Sequence, residues 1–172
     1  MRTLSLYTAC SIDAYIAKKD DNVDWLFHDA DYGYKEFYES IDSTIMGKKT
    51  YEVCLSFGPF PYKEKKNYVF THDTEIQDTE FVEFISEDPV EFVKKLKSES
   101  GDKIWLVGGS QINTLMLNAG LIDEFILAVH PRILGDGIPV FSGTNINETA
   151  FEFVKSEPWE SGLILMSYKK KE

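Results

Sequence analysis

The sequence predicts an α/β domain with a mostly parallel central sheet, an antiparallel C-terminal edge and helices against its faces. Short apolar runs alternate with helical patterns along most of the chain. Two of those runs, "STIM" (43–46) and "IWLV" (104–107), stop at glycine just before a helical pattern opens. The last two runs follow each other with no helix between them, as antiparallel neighbours do.

The first element is an apolar strand at 4–10, followed by the turn "SID" and the apolar "YIA". In "YGYKEFYESI", Tyr34, Phe37, Tyr38 and Ile41 recur at helical spacing, which gives one apolar face. "STIM" is a short strand ending on Gly47, and a helical turn opens near Lys49. "FGPFPY" (57–62) is a Pro/Gly loop, and strands follow at 67–71 and 81–85.

Asp88, Pro89 and Glu91 read as an N-cap, a proline at the first helical position and a capping-box glutamate. Phe92, Val93 and Leu96 face that helix inward. After "IWLV", Ile112, Leu115, Met116 and Ala119 repeat at helical spacing until Gly120 stops the helix. Residues 124–130 form a strand, "GDG" (135–137) a turn, and 151–154 with 163–168 the closing pair. The turn segment 130–141 carries no chemistry of its own on this reading.

With 172 residues, 43 % of them hydrophobic, the chain reads as one domain (1–172) whose core needs no staples. No apolar run is long enough to cross a bilayer, and the start has no signal-peptide pattern. The two cysteines, Cys10 and Cys54, are not a CxxC pair and read as reduced thiols of a cytoplasmic protein. His28, His72 and His130 are scattered, so no metal site is expected.

A net charge of −11 opposes nucleic-acid and anionic-membrane partners. It leaves room for one local phosphate site. Between residues 46 and 66 five lysines (48, 49, 63, 65, 66) outnumber two glutamates (52, 64). Lys63, Lys65 and Lys66 read as a solvated loop. Gly47-Lys48-Lys49-Thr50 is different, because a helix N-terminus offers free N–H groups and a partial positive charge to phosphate. "VGGSQI" (107–112) repeats that logic at a second strand end. It is neither a GxGxxG fingerprint nor a Walker loop. A tight turn alone would explain either segment; the pair together points to a phosphate-bearing ligand beyond the carboxyl ends of the strands.

The candidate acids are Asp13, just past the first strand, and Asp31 in the acidic run Asp24, Asp29, Asp31 around Trp25. Each can cap a turn. A carboxylate in a closed apolar cleft instead gains a raised pKa and can donate a proton.

The order "SIDAYIA", "TIMGKKTYE", "NYVFTH", "IWLVGGSQI", "GLIDEF", "HPRILGDGIPVF" resembles the dihydrofolate-reductase-like superfamily. Within it the chain is most similar to the C-terminal reductase domain of the bifunctional riboflavin-biosynthesis deaminase–reductase and to its stand-alone relatives. The deaminase's HxE…PCxxC zinc pattern is missing. The resemblance implies a three-layer fold with helices on both faces of the sheet. It implies NADPH along the carboxyl edge and hydride transfer to a C=N or C=O carbon of a small molecule, here 5-amino-6-(5-phosphoribosylamino)uracil. A pterin-type or other small-molecule reductase, or a nucleotide-binding module without turnover, are the alternatives.

Residue by residue, the resemblance places Val107, Gly108 and Gly109 against the cofactor, with a cis peptide between the glycines. Ser110, Gln111 and Ile112 fall at its pyrophosphate. Gly47, Lys48, Lys49 and Thr50 match the segment that holds the 2′-phosphate and pyrophosphate. Thr71 and His72 match the strand end beside the adenosine ribose. Ala9, Ile16 and Ala17 match positions around the nicotinamide. Asp31, expected on the first helix, matches the acidic substrate-binding position of dihydrofolate reductases. Asp13 matches the aspartate of the turn in the riboflavin branch, where Ala14 replaces the usual glycine. The resemblance also implies a homodimer.

Overall fold

The computed structural model describes residues 1–171. Eight strands form one sheet: in chain order β1 (Leu4–Ser11), β3 (Ile41–Gly47), β4 (Lys66–Phe70), β5 (Glu83–Ile85), β6 (Lys103–Gly108), β7 (Glu124–His130), β9 (Phe151–Pro158) and β10 (Ile164–Lys170). Across the sheet their order is β5-β4-β3-β6-β1-β7-β10-β9. A separate ribbon pairs β2 (Tyr15–Ala17) with β8 (Ile138–Pro139). From β5 through β7 every neighbour is parallel, and β10 joins β7 and β9 antiparallel. The parallel centre with an antiparallel edge is therefore the architecture read from the sequence.

Alternation along β1 builds two cores, because successive side chains point to opposite faces. Leu4 and Leu6 face α3 (Pro89–Ser98) and α4 (Ser110–Asn118), meeting Val93, Leu96, Ile112 and Met116. Tyr7 points the other way, stacked on Phe37 of α1 (Tyr34–Glu39) with ring centroids 4.5 Å apart. Met46 and Val69 continue that second face under α2 (Lys48–Ser56), packed by Tyr51 and Cys54. Helices thus cover both faces of the sheet, giving three layers.

Trp105 anchors the second core. It is 5 % exposed, packs edge-on against Tyr7, Phe37 and Tyr62, and donates its indole N–H to the Tyr7 carbonyl at 3.0 Å.

Several local readings need correction. The first helix covers Tyr34–Glu39, and Ile41 belongs to β3. Asp31 precedes the helix rather than lying on it, because Tyr32 and Gly33 both turn into positive φ (53° and 78°) and break the chain there. Asp88 does accept from the Glu91 amide at 2.9 Å, but the Glu91 carboxylate pairs forward with Lys94 at 2.8 Å. The box is half closed.

Lys65 is not simply solvated: its ammonium donates to the Ile41 carbonyl at 2.7 Å and lies 4.6 Å from the centre of the Tyr38 ring. The β2–β8 ribbon has no counterpart in the sequence reading. Ala14 stands at φ 63°, a conformation glycine adopts more readily.

Candidate functional site

The carboxyl ends of β3 and β6 lie side by side, with Met46 paired to Gly108. Each runs straight into a helix whose N-cap is glycine, Gly47 for α2 and Gly109 for α4, with no side-chain cap. The first N–H groups of both helices are therefore left to whatever binds there. The two turns touch: a Cβ placed on Gly109 would stand 3.2 Å from the Thr50 hydroxyl, tighter than ordinary contact. The Gly108–Gly109 peptide is cis, as the resemblance implied. Segments that were only two similar patterns in the sequence form one continuous ledge.

Charge gathers on that ledge. Lys48 lies 3.7 Å from Asp73, just beyond β4, and Lys49 lies 3.1 Å from Asp21 in the loop after β2. Both lysines are partly exposed, so an arriving phosphate would compete with these carboxylates. Thr71 follows β4, held by its own N–H to the Ile85 carbonyl at 3.0 Å, and His72 beside it is exposed.

On the α4 side the expectation changes in detail. Ser110 is 7 % exposed and its hydroxyl donates to the Pro139 carbonyl, while Ile112, also 7 % exposed, packs into the core. These residues offer backbone N–H groups to a ligand rather than side chains. Gln111 is exposed. Val107 is half-buried and packs against the second core.

Ala9 of β1 pairs with Ala128 of β7. Beside them, toward the C-terminal ends of β1 and β7, opens a cavity of about 330 Å³. Its walls include Tyr7, Ala9, Phe27, Tyr34 and Ala128, and its polar lining includes Asp31 and His130. Ile16 and Ala17, expected beside Ala9, lie instead on β2. Ala17 is buried against β8, and Ile16 packs on the main core. Neither residue is in the lining of that cavity.

The two candidate acids separate cleanly. Asp13 accepts from the Ser11 hydroxyl at 2.6 Å and from the Leu134 and Gly135 amides at 3.1 and 2.8 Å. The Ser11 bond, supported by those amides, holds its carboxyl below the usual carboxylate range. A carboxylate stabilised in its charged form is a poor proton donor. Asp13 is thus a clamp that ties the first turn to the "GDG" loop, and that loop acquires a structural task.

Asp31 lines the cavity. It accepts from the Lys35 amide at 3.1 and 3.2 Å and is exposed. Burial, and next the charge of Asp31, push the Tyr7 hydroxyl up to about 12, so it stays protonated. Burial likewise raises Tyr34.

The sequence reading missed His130. It ends β7 opposite Ser11 of β1, is 3 % exposed and lines the cavity. Its Nδ1 lies 3.0 Å from the Ala128 carbonyl. The available signal was its place at the C-terminal end of a predicted strand, where ligands of such sheets bind.

Comparison with known proteins fits this architecture. The RibD C-terminal domain family matches residues 2–165. The uncharacterized protein YwjB of Bacillus subtilis (strain 168) is 42 % identical over 144 residues, covering 81 % of this chain and 83 % of its own. A solved structure from Shewanella sp. PV-4, provisionally assigned to riboflavin biosynthesis, superposes with a TM-score of 0.85 at 26 % identity, covering 99 % of each chain. The dihydrofolate reductase of Enterococcus faecalis, solved with NADP(H), superposes with a TM-score of 0.73 at 17 % identity, covering 99 % of this chain and 97 % of its own. Sheet order, layering and the family match agree: the fold is dihydrofolate-reductase-like, and the chain belongs to the RibD C-terminal domain family.

Proposed function

We propose that the protein is an NADPH-dependent reductase that transfers hydride to a C=N or C=O carbon of a small molecule. The observation that carries this is the ledge of two uncapped helix N-termini at adjacent strand ends, with Lys48 and Lys49 on it. The residues present fit the cofactor. Backbone N–H groups of α2 and α4 would hold its pyrophosphate, Gly108 and Gly109 would let it approach the backbone, and the two lysines with Thr50 would hold the 2′-phosphate. Thr71 and His72 would flank the adenosine, and Ala9 would floor the nicotinamide. The cofactor, when bound, supplies the hydride.

What the chain itself does is orient the acceptor and manage a proton. The aromatic cavity beside Ala9 sets the acceptor's ring plane. Asp31, exposed at the cavity, orients the acceptor as a carboxylate and relays a proton to it from solvent.

Family membership and the resemblance support 5-amino-6-(5-phosphoribosylamino)uracil as the acceptor. A second reading, a small ring compound without phosphate, is favoured by one observation: among the described residues no lysine or arginine lines the cavity. We further propose that the protein works as a cytoplasmic homodimer, with neither nucleic acid nor membrane as partner. Among the described residues no helix is long and apolar enough to cross a membrane.

Calorimetric titration with NADPH and NADH tests the core of the proposal. Saturable binding with NADPH preferred is the expected result; no binding of either overturns it. Sedimentation tests the dimer.

A further inference from the structure

The cavity wall contains an imidazole that the reading above leaves without a task. His130 is buried beneath the loop that carries Trp25, Phe27 and His28, with the Trp25 and Phe27 rings 5.3 and 5.0 Å from its own. A carbonyl oxygen can only accept, so the 3.0 Å contact with Ala128 requires the proton on Nδ1. In the neutral ring Nε2 then carries a lone pair and accepts. No partner for Nε2 is present among the described residues. Burial, and after it the charges of His28 and Arg132, hold the imidazole below its ordinary pKa, which keeps that acceptor available at neutral pH.

Asp31, in the same lining as His28 and three tyrosines, is also an acceptor when ionised. Of the lining hydroxyls, Tyr7 donates to the Tyr32 carbonyl and Tyr32 to Asp29, so two acceptors in this lining call for donors from the guest. The buried indole N–H of Trp25, against the same imidazole, has no partner among the described residues, a second sign that polar chemistry here is incomplete. Arg132 lies outside the lining, its guanidinium carbon 5.7 Å from the centre of the Phe27 ring.

Resting on the reading of this cavity as the acceptor's place, we propose that His130 is a substrate-contacting residue. Its Nε2, together with the Asp31 carboxylate, selects a flat, unphosphorylated nitrogen heterocycle that presents N–H donors along one edge. Tyr7, Phe27 and Tyr34 enclose the ring. The Ala128 carbonyl acts through His130 by fixing its tautomer, and so has a positioning role.

The test is equilibrium binding to the NADPH-saturated protein with three probes: 5,6-diaminouracil, its 1,3-dimethyl derivative and ribose 5-phosphate. Methylation removes two ring donors and keeps the ring. Wild type is expected to bind the parent ring and to lose about 10-fold on dimethylation, the scale of one or two unmade buried hydrogen bonds. His130→Leu is expected to cost the parent ring about 10-fold and the dimethyl ring less than about 3-fold. His130→Gln, which restores an acceptor, should stay within about 3-fold of wild type.

NADPH affinity and the unfolding midpoint are read for each variant, so a folding defect is seen as such, and the glutamine variant keeps the test decisive if leucine is not tolerated. Three results overturn the inference: no saturable binding of the parent ring, equal losses for both rings in His130→Leu, or binding of ribose 5-phosphate tighter than the ring and abolished by Arg132→Ala. Failure of the reductase reading looks different. NADPH then does not bind, while the ring series measured without cofactor still decides the role of His130.

Discussion

On the proposed function, replacing Lys48 and Lys49 by alanine should remove the ledge's preference for NADPH over NADH. The size of the effect follows from the geometry. A phosphomonoester carries about −1.5 to −2 charges near pH 7, and NADH lacks it at the ribose 2′ position. At about 4 Å and an effective dielectric of about 20, one lysine gains roughly 4 kcal/mol per unit of opposite charge before any cost. Desolvation, salt and side-chain ordering remove most of that at a half-exposed site, leaving on the order of 1–1.5 kcal/mol per lysine.

Lys48 must also surrender its 3.7 Å pair with Asp73, and Lys49 its 3.1 Å pair with Asp21. Exposed pairs of this kind are worth only about 0.2–1 kcal/mol, so the net preference survives. Lys48→Ala should therefore raise the Kd for NADPH about 3- to 9-fold, and the double variant about 10- to 80-fold. The Kd for NADH should move less than about 3-fold. Calorimetry with both cofactors at fixed salt reads the ratio directly. Equal weakening for the two cofactors, or none, would refute the assignment of these lysines to the 2′-phosphate.

Gly109→Val sets a branched side chain against the Thr50 hydroxyl, 3.2 Å from the first added carbon, and over the surface where the pyrophosphate would lie. NADPH affinity should fall about 100-fold or more, while urea denaturation shows a loss of only about 1–3 kcal/mol. Trp105→Phe keeps most of the aromatic packing but leaves the buried Tyr7 carbonyl without its 3.0 Å donor, which should cost about 1–3 kcal/mol in chemical denaturation.

His130 gives a pH signature in the protein without ligand. Its folded pKa lies below the ordinary 6.5, chiefly through burial, so the unfolded chain binds more protons between the two values. Its contribution to stability should be complete above about pH 6.5 and decline as pH falls through the folded pKa. In His130→Gln that slope should disappear from the midpoint-versus-pH curve. Asp13 and Asp42, both held below the ordinary carboxylate range, act in a separate acid window, lost only as pH falls below about 4.

The parts that could be read from the sequence are those with a local cause. Glycine directly after "STIM" and "IWLV" marked both strand ends, because a buried run that stops on a residue without Cβ must turn there. The Asp88–Pro89 cap marked α3 for the same local reason. The β2–β8 ribbon was invisible, since two or three paired residues carry no period.

Asp13 could be read as a turn residue, but its amide partners lie 121 and 122 positions away, so nothing nearby distinguished a clamp from an acid. The cavity was harder still. β1, the loop after β2, α1 and β7 each contribute a wall, and His130 becomes interesting only once Ala128 fixes its proton and Asp31 stands in the same lining.

The strand order has a consequence for synthesis. β1 is made first yet lies at the centre, and its neighbours begin at Lys103 and Glu124. As the chain leaves the ribosome, Leu4 and Leu6 have no strand to pair with until β6 emerges, and no second one until β7 follows. The sheet therefore closes late and around its oldest strand. Of these strands β1 waits longest for its partners, and truncation before residue 124 strands an apolar β1 with one edge bare.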